Sequence, residues 1–176
     1  MHRRGLGTLT EPGPIRTIRP SQDSQRTRRV QQLNLDRSHW DAMRTHVESC
    51  APFEACGLLA GQGDRVREVV FIANQLQSPT AFRMAPAEQV RAFRRMDDEG
   101  MELVGIFHSH PAPPGTFPAV NEEPSATDMA EAAYDVVQII WSRPRGQWQA
   151  RGFRIEDRTF SEVTLLVADA QHPSGV

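Results

Sequence analysis

Residues 101–128, "MELVGIFHSHPAPPGTFPAVNEEPSATD", run from an apolar stretch through two histidines into a proline-rich connection. "MELVGIFHSH" reads as a strand, more apolar than any segment before it. "PAPPGTFPAVNEEP" holds five prolines in fourteen residues and is a loop. "SATDMAEAAY" then opens a helix. Side chains alternate across a strand, so His108 and His110 share one face and Ser109 points away. The pair stands where a strand's C-terminal end enters a loop, the usual place for functional groups in α/β sheets.

Upstream, "DRSHWDAMRTHVESCA" spaces Trp40, Met43, His46 or Val47, and Cys50 by three and four, an amphipathic helix capped near Asp36 and closed before Pro52. "ACGLLAG" and "RVREVVFIA" read as strands paired through the turn "GQGD", and "TAFRMA" as a third. "APAEQVRAFRRMDDEG" is a helix with Pro86 in its first turn and Gly100 at its stop, its buried face traced by Val90, Phe93, and Met96 or Asp97. Downstream, "DVVQIIWS", "WQARGFRIE" and "TFSEVTLLVA" are three more strands. The fold class is α/β, a sheet with helices on its faces.

The 176 residues suffice for one domain with its own core. Residues 1–30 hold seven arginines, two acids and three prolines with scattered apolar positions, the composition of a disordered basic tail. Residues 31–176 hold thirteen arginines against twenty acids, so the overall net charge of −2 hides an acidic domain behind a basic tail. The domain is expected over 31–170, with 171–176 a flexible end. No secretory h-region and no apolar run near membrane length is present, which argues against export or a span. Cys50 and Cys56 do not form a disulfide framework, and a reducing, cytoplasmic setting is the simpler reading.

Each candidate residue has two readings. Two histidines on one face beside a downstream carboxylate favour a metal site over surface histidines bonded to carbonyls. Ser125 and Asp128 have the spacing of a helix-capping pair. Asp128 is also a third ligand if it turns toward the imidazoles, and two nitrogens with one carboxylate leave a zinc position open, as in catalytic sites. Glu54, directly before "ACGLLAG", is either an exposed strand-start residue or an acid reaching into a cleft.

"FEACGLLAG", "GIFHSHP" and "SATD", in that order, resemble the JAMM (MPN+) metalloprotease family, whose signature is a strand-start glutamate followed by H-S-H-P and S-x-x-D. "TAFRMAPAEQ" and the terminal strands extend the resemblance over roughly residues 31–168. It implies a mixed β-sheet flanked by helices, of the cytidine-deaminase-like kind. It implies zinc on His108, His110 and Asp128, Glu54 as general base, and Ser125 as a donor to the water or the oxyanion. It also implies a standalone prokaryotic peptidase or isopeptidase acting after the Gly-Gly end of a ubiquitin-like or sulfur-carrier protein, with no membrane or specific nucleic-acid partner; a homodimer stays open. One departure is the thirteen residues between Pro111 and Ser125, more than the family pattern carries. This loop, with Phe117 and Val120 near its tip and Glu122 and Glu123 on its return, is expected either to wall the substrate groove or to be solvated. The alternatives are a non-catalytic MPN scaffold and a two-histidine-one-carboxylate iron enzyme, which lacks a suitable later histidine. A zinc deaminase would need a P-C-x-x-C segment that is absent.

Overall fold

The computed structural model describes residues 31–111 and 121–169. The basic segment 1–30, the loop stretch 112–120 and the C-terminal 170–176 lie outside the described residues. Within them the order is β1 (Gln32–Asp36), α1 (Arg37–Cys50), β2 (Cys56–Gln62), β3 (Arg65–Ile72), α2 (Pro86–Asp98), β4 (Glu102–His110), α3 (Ala126–Glu131), β5 (Val137–Ser142), β6 (Gln149–Glu156) and β7 (Thr159–Ala168).

β2 is the hub, antiparallel to both β3 and β4. β4 runs parallel to β5, and β5, β6 and β7 continue antiparallel. β1 lies parallel to β7 and meets β3 at Asn34–Arg65, so the mixed sheet closes on itself. The sequence reading missed β1 and therefore the closure. Five residues with two buried apolar side chains, Leu33 and Leu35, are too short to show a period.

β2 and β4 bury both faces, which is why they read as unbroken apolar runs. One face, through Leu59 and Phe107, packs with Leu33, Leu35 and Trp141 and with Met43 and Val47 of α1. The other, through Cys56, Leu58 and Ile106, packs with Ile72 and with Ala92 and Met96 of α2. Gly57 lets the two strands meet: an added Cβ would overlap the Phe107 ring and the Val70 carbonyl.

The helices keep their expected ends. Asp36 is the N-cap of α1, and its backbone N–H donates to His39 Nδ1 at 3.3 Å. Gly100, at φ +64°, stops α2. Two expectations fail. Val90 is exposed, because α2 turns Ala92 and Met96 inward instead. "TAFRMA" makes one bridge, Asn74 to Met84, and no strand. Cys50 and Cys56 are free thiols. Among the described residues no helix is long and apolar enough to cross a membrane.

Candidate metal centre

Strand register places the site. Cys56 of β2 lies opposite His108 of β4, so Glu54, two residues earlier, stands at the same end of the sheet as both histidines. Ser109 points away from them, is fully buried, and does work the sequence reading did not assign. Its Oγ accepts the Ala55 N–H at 2.8 Å, and its own N–H donates to the Ala55 carbonyl at 3.0 Å. The residue after Glu54 is thus tied to the residue between the histidines. Glu54 is further held through its backbone: its N–H donates to Ser78 O at 2.9 Å, and its carbonyl accepts from Asn74 Nδ2 at 3.0 Å.

Despite the long loop, Asp128 turns toward the imidazoles. Ser125 caps α3; its Oγ accepts the Asp128 N–H at 3.1 Å, and its N–H donates to Asp128 Oδ2 at 2.7 Å. The cap and the ligand geometry coexist. Asp128 Oδ1 is 3.3 Å from His108 Nε2, Oδ2 is 3.3 Å from His110 Nε2, and the two Nε2 atoms are 3.0 Å apart. A tetrahedral ion with bonds of about 2.0–2.1 Å separates its ligands by about 3.3 Å, so these three donors fit zinc with little adjustment. His110 Nδ1 donates to the Asn121 carbonyl at 2.8 Å, which leaves the Nε2 lone pair facing the centre. His108 stacks on Phe82, ring centroids 4.7 Å apart, and its Nδ1 has no partner among the described residues.

The electrostatics match a site that handles protons. Burial pushes Glu54 up to about 7, with His110 opposing and the Asp128 charge adding. Burial also acts to raise Asp128, but hydrogen bonds from His108 and His110 hold it well below the usual carboxylate range. Burial lowers His108, against the pull of Asp128. Burial pushes the Cys56 thiol up to about 12, so it is no nucleophile at neutral pH.

The loop's tip, with Phe117 and Val120, lies outside the described residues. Its return is bound to the sheet: Gln149 Nε2 donates to Glu122 at 3.3 Å and Arg151 Nη1 to Glu123 at 3.5 Å, so both acids have partners on β6. A pocket of about 320 Å³ opens beside His108 and Asp128, walled by Phe82, Met84 and Ile106. Its wall comes from the irregular "TAFRMA" segment, whose role no periodicity could announce.

The family described as prokaryotic homologs of the JAB domain matches residues 36–155. The chain belongs to this prokaryotic JAB family, the JAMM family that its motifs resemble. Among similar proteins, a desampylase of Pyrococcus furiosus is 47% identical over 122 residues, 69% of this chain and 81% of that protein. A CysO-cysteine peptidase of Mycobacterium tuberculosis is 32% identical, over 73% of this chain and 86% of its own. A probable TtuB-protein conjugate cleaving protease of Thermus thermophilus is 33% identical, over 77% and 82%. Among solved structures, a protein from Desulfitobacterium hafniense superposes with a TM-score of 0.67 at 30% identity, over 82% of this chain and 99% of that one.

Proposed function

We propose that this JAB-family protein is a zinc-dependent cytoplasmic peptidase that hydrolyses the peptide or isopeptide bond after the C-terminal tail of a ubiquitin-like or sulfur-carrier protein. The observation that carries the reading is the convergence of His108 Nε2, His110 Nε2 and the Asp128 carboxylate beside a buried Glu54. The relatives named for desampylation, CysO-cysteine cleavage and TtuB-conjugate cleavage support the substrate class.

His108, His110 and Asp128 would hold a zinc ion, which would supply Lewis acidity toward a carbonyl and acidify water there. Glu54, with proton affinity near neutrality, accepts the proton of the attacking water and delivers it to the leaving amine. Ser125 Oγ already accepts the Asp128 N–H, so its own proton is free to donate to the carbonyl oxygen as negative charge develops. Asn121 keeps His110 in the tautomer that faces the centre. Neither thiol takes part.

The test uses a fusion of a Gly-Gly-terminated ubiquitin-like protein to a reporter. Purified protein should hold about one zinc per chain and cleave the fusion. Chelators should abolish cleavage and thiol reagents should not. His108→Ala and Asp128→Ala should lose most of the metal and the activity. Full zinc and full turnover in Asp128→Ala would reduce Asp128 to a helix cap, and iron with a dioxygen requirement would replace the hydrolytic reading.

A further inference from the structure

Glu54 stands on irregular backbone between α1 and β2, two residues before Cys56, the first paired residue of β2. No strand ladder of its own fixes it, so its place comes from the bonds of its peptide groups. Both bonds lead to one loop, residues 74–84. The Glu54 N–H donates to the Ser78 carbonyl at 2.9 Å, and the Glu54 carbonyl accepts from Asn74 Nδ2 at 3.0 Å.

The Asn74 side chain also holds that loop together. Its Nδ2 donates to the Ala81 carbonyl at 3.1 Å, and its Oδ1 accepts the Leu76 and Arg83 N–H groups at 3.0 Å each. Two donated and two accepted bonds are the full capacity of a primary amide. Three of them close the loop and the fourth leaves it for Glu54. The loop's stem is closed as well: Asn74 bridges to Met84, and the Gln75 N–H donates to the Arg83 carbonyl at 2.9 Å. Phe82, between the anchored Ala81 and Arg83, stacks on the His108 ring with centroids 4.7 Å apart and planes 27° apart. One half-buried side chain thus ties Glu54 to the segment that packs on His108.

We infer that Asn74 is a positioning residue, whose amide sets the spacing between Glu54 and the imidazoles by pinning the Glu54 backbone to the loop that rests on His108. The inference rests on the peptidase reading above and deepens it by naming what places the base. Asn74 touches no reacting atom; it acts through Glu54. A general base works only within hydrogen-bond reach of the proton it takes, and a displacement of about 1 Å costs up to about a hundredfold in rate. Other side chains do not reproduce the tie. An ionised aspartate has no donor for the two carbonyls, and a serine is too short to reach all four partners.

The experiment is a double-mutant cycle on the Gly-Gly fusion, with zinc content measured in every sample. Asn74→Asp and Asn74→Ser should each keep the metal and lower kcat about tenfold. The first adds a charge near Glu54 and the second does not, so similar losses point to the missing tie. In a Glu54→Gln background the same substitutions should cost less than about twofold, because no base is left to misplace. Equal losses in both backgrounds, unchanged kcat, or loss of zinc would overturn the inference. If Asn74→Asp does not fold, Asn74→Ser alone carries the cycle. A second arm needs neither turnover nor metal. In Asn74→Ser the Glu54 amide should exchange with deuterium about tenfold faster than in wild type. The Ala55 and Ser109 amides, bonded to each other's residue, should keep their rates. Unchanged exchange at Glu54, or equal acceleration at all three amides, rules the positioning role out. If wild type leaves the fusion intact, the peptidase reading fails while this arm still decides whether Asn74 fixes Glu54.

Discussion

The two sides of the centre are built differently. His108 and His110 sit on β4, paired on one flank with β2 and on the other with β5, and β4 is buried from Val104 to Ser109. Asp128 sits on α3, a helix of six residues with none buried, held by the Ser125 cap and by the histidines it faces. The strand side exists because the core exists. The helix side depends on local bonds and on the charges gathered at the site. A rigid pair of imidazoles with a carboxylate on a short, shallow helix lets the connection between them vary in length while the three side chains still converge, so thirteen residues fit between Pro111 and Ser125.

The strand side should respond most strongly, beginning with Glu54. Glu54 is 5% exposed, and its folded pKa, about 7, lies above the ordinary 4.5. A raised acid pKa means that the folded state binds the proton more tightly than the unfolded chain. Its burial therefore costs nothing below about pH 4, and the penalty grows as pH climbs through 4.5 to 7. Metal-free Glu54→Gln should be more stable than metal-free wild type by roughly 2–3 kcal/mol at pH 8, with no gain at pH 4. Urea unfolding of the two proteins at both pH values checks this, and equal stability at pH 8 would show that Glu54 is not held in a desolvated state.

Ser109→Ala set against Ser125→Ala sharpens the comparison. The first strips the acceptor from a buried Ala55 N–H, at a cost of about 1–3 kcal/mol. It also loosens the tie between Glu54 and β4, so kcat should fall about tenfold with zinc content unchanged and KM little moved. The second removes a helix cap at an exposed end, costing about 1 kcal/mol of stability. Larger destabilisation from Ser125→Ala than from Ser109→Ala would invert the account of which side is held by the core.

Much of this was legible in the sequence because long buried strands and amphipathic helices write their own period. β2, β4 and α1 declare themselves through "GLLAG", "LVGIF" and the Met43–Val47 spacing. Same-face histidines on a strand follow from alternation alone. What was not legible depends on partners distant in sequence. β1 gains its strand character from β7, whose paired residues lie 132 positions further along the chain, and Val90 sits outside because α2's packing selects Ala92 and Met96. The Ser109–Ala55 tie needs the β2–β4 register, and the Asn121 carbonyl that orients His110 is backbone, which no residue type signals. The Ser125–Asp128 pair was ambiguous between cap and ligand because it is arranged for both.

The central claim is that a metal-binding triad and a buried carboxylate form one hydrolytic site. Glu54→Gln tests it most directly, since it keeps size and polarity while removing the proton acceptor. Zinc-loaded variant and wild type should be compared on the Gly-Gly fusion with metal content measured in the same samples. The account predicts unchanged zinc and a fall in kcat of at least about a hundredfold. Near-normal turnover at full zinc occupancy would contradict it.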